Sequence, residues 1–197
     1  MPPRSAGPAA VAVPAITAVT VVALLVARAW LGTRSVGFAV AVVWLPMTWM
    51  GSVSRFVRPR LPAAWHELRA VERDGRVHEL LGVRVVKRLL RRSPLAVFNP
   101  DLHLPAERTP AALARLDGRM RDAEAAHAIM LAATALLALG AALHGWWGWA
   151  AWVLLFDVLV NGYPVLLQRY NRALLARSAC SACGDGTPGR PATSGRA

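Results

Sequence analysis

The chain has 197 residues, 55% of them hydrophobic, and a formal net charge of +12. High apolar content beside a large basic excess argues against an ordinary soluble domain and suits a small integral membrane protein. The basic residues cluster beside apolar segments and no nucleic-acid-binding motif accompanies them, which weighs against a nucleic-acid partner.

Two windows near the N-terminus, Pro8 to Ala27 and Val36 to Ser54, contain no Asp, Glu, Lys or Arg. Each has about 20 residues, enough to cross a hydrocarbon core as a helix. They predict membrane helices over roughly 8–29 and 35–53. Ala27-Arg28-Ala29 faintly resembles a signal-peptide cleavage site. The apolar stretch exceeds a signal core, however, and only Arg4 precedes it, so a retained helix is expected.

Residues 55–122 form the one sizeable polar segment, too short for a conventional catalytic domain with its own core. Leu61 to Arg73 reads as a short helix. Arg76 to Arg92 reads as a second, with Val77, Leu80, Leu81 and Leu89 on one side and Arg84, Lys87, Arg88 and Arg91 on the other. Such a helix suits the headgroup layer, apolar side down. Ser93-Pro94 ends it. Thr109 before Pro110 is a good N-cap and first-turn pair, so a helix starts there and feeds the next membrane segment.

A third apolar region, Ala125 to Leu167, holds a single charge, Asp157. It is too long for one crossing. The break falls at His144-Gly145-Trp146-Trp147-Gly148, where glycines weaken the helix and indoles prefer the headgroup zone. Helices over roughly 125–143 and 149–167 complete an all-α protein with four transmembrane helices and a helical cytoplasmic loop. The expected divisions are an N-terminal helix pair (1–54), the basic loop (55–122), a C-terminal hairpin with a polar end (123–175) and a Gly/Ser/Pro/Thr-rich disordered tail (176–197).

Gly51 to Asp122 carries 15 Lys or Arg against 8 acids, and the stretch after Leu167 carries 5 against 1. The opposite side holds Arg28 and Arg34 in one turn, and no basic residue lies between His144 and Trp149. By the positive-inside rule both termini and the loop are cytoplasmic, in a multi-pass cell-membrane protein.

The chemistry is expected where the hairpin's two ends meet. Gln168-Arg169-Tyr170-Asn171-Arg172 is five consecutive hydrogen-bond donors at the end of an apolar segment, more than a stop-transfer flank requires. An antiparallel hairpin sets this run beside Glu124 and His127, which share a helix face and could serve as orienter and general base. Taken alone, the pair reads more readily as polar residues that simply end a membrane segment; the adjoining polar run brings the two readings level. Asn161 and Pro164 interrupt an apolar face, and the proline frees a carbonyl for a polar neighbour. Asp157, near mid-membrane, is either functional or a protonated side chain bonded to a hydroxyl such as Thr134. His66, His78, His103, His127 and His144 show no metal-ligand spacing, and Cys180-Ser181-Ala182-Cys183 is a lone CxxC without a second pair. No metal or cofactor is therefore expected. GxSxG, P-loop and GxGxxG signatures are missing, as is the His-x4-Asp of glycerolipid acyltransferases.

Glu124-x-x-His127, with Asn161 and Gln168 to Arg172, resembles the glycosyl-4,4'-diaponeurosporenoate acyltransferase family. The loop is similar too, through Trp65, Glu72-Arg73-Asp74-Gly75-Arg76, Glu79, Gly82-Val83, Lys87 and His103-Leu104. The resemblance spans roughly residues 35–175. This chain departs from the family at Ala128, where an aromatic is usual, and at Pro164, one place later than usual. His78 stands where Tyr is common and Val86 where Trp is common; Asp157 has no counterpart. The resemblance implies a membrane acyltransferase that esterifies a sugar hydroxyl of a glycosylated carotenoid or related glycolipid, with acyl-CoA the simplest donor. It makes His127, oriented by Glu124, the general base and His103 a second candidate. Arg169 and Arg172 would hold the donor's phosphate or carboxyl groups, and Gln168 or Asn171 the oxyanion; Asn161 and Tyr170 complete the substrate-binding set. The alternatives are a non-catalytic membrane scaffold that binds anionic lipid through its basic loop, and a transporter subunit using Asp157 as a proton relay.

Overall fold

The computed structural model describes residues 6–92 and 109–184. Among them every regular element is helical. Four stretches are long and apolar enough to cross a membrane: Pro8–Leu31, Val36–Val53, Pro110–Leu143 and Trp147–Arg177.

Helices α1 (Ala6–Leu31) and α2 (Val36–Val53) form the first hairpin. Ser35 caps α2 by accepting from the Phe38 N–H at 3.0 Å. Trp49 Nε1 donates to Thr17 Oγ1 at 2.9 Å and ties the pair together. Such a bond is useful between membrane helices, where lipid competes for apolar contact. No residue in the apolar window of α1 is fully buried within the protein, although Leu24 packs against the core, which suits a helix with much of its surface toward lipid.

Helix α6 (Pro110–Leu143) begins where the Thr109–Pro110 pair predicts, with the Thr109 hydroxyl accepting from Ala112 N–H at 3.2 Å. Its first four turns stand outside the apolar stretch, so the third membrane helix and its polar entry are one rod. After a tight turn through Gly145, α7 (Trp147–Asp157), a π-helical turn (Val158–Gly162) and α8 (Tyr163–Gly184) run on as a single helix. Small residues let the rods approach: Ala39, Val42 and Val43 of α2 pack on Ala138 and Ala142 of α6 and on Trp149, Ala150 and Val153 of α7.

The segment between α2 and α6 differs in detail from the two helices expected. A 3₁₀ turn (Ala63–His66) and α3 (Ala70–Arg73) replace the first; α4 (Arg76–Leu80) and α5 (Val83–Arg92) replace the second. The break between α4 and α5 falls at Gly82, whose φ of +74° is incompatible with a continuing right-handed helix. Val83 then turns inward onto Leu167 and Tyr170. Val77, Leu80, Leu81 and Leu89 of the expected apolar side stay exposed, as do Arg84 and Arg88, whereas Lys87 of the expected basic side turns to Asn171. Helix α8 extends to Gly184, so residues 176–184 are helical where a disordered tail was expected, and 185–197 lie outside the described residues.

Candidate active site

Two polar assemblies occupy the α6–α8 hairpin, one at its charged end and one inside the apolar span. At the charged end, Arg169 spends its whole guanidinium within the protein. Its Nε donates to Glu72 Oε1 (2.9 Å), its Nη1 to Glu124 Oε1 (2.7 Å) and the Trp65 carbonyl (2.9 Å), and its Nη2 to Glu72 Oε2 (2.7 Å) and the Glu67 carbonyl (3.1 Å). That fills all five N–H groups an arginine has. Arg172 donates to Asp117 Oδ1 (3.0 Å), Glu124 Oε2 (2.8 Å) and the His66 carbonyl (2.5 Å). Glu124, 0% exposed, also faces His66 Nδ1 at 3.3 Å. The result is a latch that fastens the 3₁₀ turn and α3 to the membrane hairpin.

Around the latch, Tyr170 donates its hydroxyl to Glu79 (3.1 Å), and Lys87 donates to Asn171 Oδ1 (2.6 Å). Gly75 has a φ of +75°, which favours glycine, and a Cβ there would sit tightly against the Tyr170 ring at 3.3 Å. The hydrogen bond from Arg169 holds the Glu72 carboxyl below its ordinary range. Burial lowers the pKa of His78, which packs against Tyr170 and lies 3.8 Å from Glu72, so this imidazole is neutral.

The second assembly is a chain of three side chains. His127 Nδ1 lies 3.2 Å from Asn161 Oδ1, and Asn161 Nδ2 donates to Asp157 Oδ1 at 2.7 Å. Asn161 and Asp157 are both 0% exposed, while the His127 ring is only partly buried. The π-turn at Val158–Gly162 carries Asn161 and follows directly on Asp157. Such turns widen the helix by one residue per turn and recur at functional sites. Pro164 has no N–H to offer the Val160 carbonyl.

The residues singled out in the sequence therefore divide. Glu124 and His127 share a helix face but do not meet as a pair: Glu124 belongs to the latch, and His127 is oriented by Asn161 one turn deeper. Arg169 and Arg172 are held by carboxylates and carbonyls of this chain rather than presented to a donor's phosphate. Asn161 is bonded at both ends of its amide, Asn171 is engaged by Lys87, and Tyr170 by Glu79. Gln168 is buried with its side-chain oxygen unpartnered. Asp157 meets Asn161 and not a threonine. His103 lies outside the described residues. The structural parts played by His66 and Asp117 carried no sequence signal beyond their charge or ring.

Among the described residues, no group of three or more His, Cys, Asp or Glu side chains could hold a metal ion. No match emerges among curated proteins or among solved structures. The family model described as glycosyl-4,4'-diaponeurosporenoate acyltransferase matches residues 62–179, more than half of the chain. It begins after both N-terminal membrane helices, where the resemblance had suggested a start at the second, and it takes in the latch, the His127–Asn161–Asp157 array and the hairpin that carries them. The chain belongs to the glycosyl-4,4'-diaponeurosporenoate acyltransferase family.

Proposed function

We propose that this protein transfers a fatty acyl group onto a sugar hydroxyl of a glycosylated carotenoid or related glycolipid, with acyl-CoA as donor, at the cytoplasmic face of the cell membrane. The observation that carries the reading is His127, a partly exposed imidazole anchored to a buried amide within an apolar hairpin. Asn161 presents its oxygen to Nδ1, so that nitrogen carries the proton and Nε2 is left basic. As the sugar oxygen attacks the thioester carbonyl, Nε2 takes the hydroxyl proton, and the C–O bond forms. The oxyanion is met by the side-chain NH₂ of Gln168 or of Asn171, the neutral donors of the polar run. Collapse breaks the C–S bond, and His127 returns the proton to the departing thiolate. The ester and free thiol leave with no net proton consumed.

The basic excess of residues 55–122 and of the stretch after Leu167 supports an inward-facing latch and cytoplasmic termini. The test is ester formation from acyl-CoA and a glycosylated carotenoid in membranes carrying the protein. His127→Ala, alone and with His103→Ala, is expected to abolish it. Full activity in the double variant overturns the assignment.

A further inference from the structure

We propose that Asp157 is a positioning residue for His127, acting through Asn161. The inference rests on the reading of His127 as the base. An asparagine amide has unlike ends. Turned one way it offers oxygen to the imidazole and keeps the proton on Nδ1. Turned the other way it offers NH₂, which favours the tautomer with a proton already on Nε2, the nitrogen that must accept one. Asp157 Oδ1, 2.7 Å from Asn161 Nδ2, carries no proton in this arrangement; as an acceptor it pairs with the NH₂ end and so selects the productive orientation.

Packing gives no reason for an acid at this position. Asp157 is 0% exposed on a face that an apolar residue would fill, and an ionisable group within a membrane span is costly. Its Oδ2 is buried without a hydrogen-bond partner. A half-satisfied carboxylate is a poor structural device and is worse than an apolar side chain of the same size. Its bond to Asn161 is the one thing it contributes that leucine would not.

Two measurements test the proposal. In the whole protein, Asp157→Leu is expected to lower kcat by about 10²–10⁴-fold, the range lost with impaired general-base catalysis. KM for the acyl donor and the tryptophan-fluorescence melting curve should hold. Adding Asn161→Asp should restore a large part of kcat, because a carboxylate offers an acceptor whichever way it turns. Full kcat in Asp157→Leu, or no rescue in a folded double variant, overturns the proposal. Independently of any variant, ¹⁵N NMR of histidine-labelled protein should show His127 as the Nδ1–H tautomer; the Nε2–H form overturns it. A fully active His127→Ala would instead remove the reading on which the proposal rests, whatever Asp157 does.

Discussion

The latch and the intramembrane array are under one turn apart on α6, from Glu124 to His127, and about two turns apart on the final helix, from Asn161 to Arg169, yet they obey opposite rules. In the latch, Arg169 satisfies every donor it has, and Glu124 accepts from two arginines and faces a histidine. In the array one carboxylate oxygen has no partner, and the terminal imidazole reaches the protein surface. A saturated network has nothing left to offer a substrate, and its value is rigidity. An open-ended one keeps a group in reserve. On the proposed reading, charge density alone misleads about where chemistry sits: the more conspicuous cluster fastens the fold, and the base is assigned to the sparser one.

The sharpest way to break this contrast is to remove one member from each side. His127→Gln should reduce acyl transfer by about 10²–10⁴-fold while leaving the melting temperature near that of the parent. Glu124→Leu should do the reverse. Its removal leaves two buried guanidiniums short of a counter-ion, a loss of about 3–5 kcal/mol of stability, visible in detergent melting before any effect on the chemical step. Equal effects of the two on kcat alone would erase the distinction.

Acid sharpens it further. The folded pKa of His78 lies below its ordinary 6.5, so stability is full above that pH and declines as pH falls from it. Glu72 is likewise held below its ordinary 4.5, and its contribution is lost as pH falls through the lowered value. Amide exchange in residues 63–80 should accelerate on acidification, while the α2–α6–α7 packing does not; uniform acceleration counts against a separable latch. The smallest effect is expected at the rim. The exposed Arg84–Glu79 pair, at 3.4 Å, should cost under about 1 kcal/mol when Arg84→Ala removes it.

The four membrane helices were legible because length, charge-free windows and turn residues act locally. The convergence of the hairpin ends followed from chain geometry alone. Partner choice did not. Glu124 and His127 are three residues apart, about 4.5 Å along the axis, so one reaches the arginines at the rim while the other lies at the depth of Asn161. Glu72 and Asp117 looked like scattered acids in a basic loop, because their partners are 97 and 55 residues away.

The latch also imposes an order on biosynthesis. Both arginines belong to the final helix, and they bind carboxylates made 45 to 97 residues earlier. Until the ribosome has released that helix, Glu72, Asp117 and Glu124 lack these two counter-ions. Docking of the 62–80 segment is therefore a post-insertion event, and a nascent chain cut short before Arg169 should remain open to proteases there.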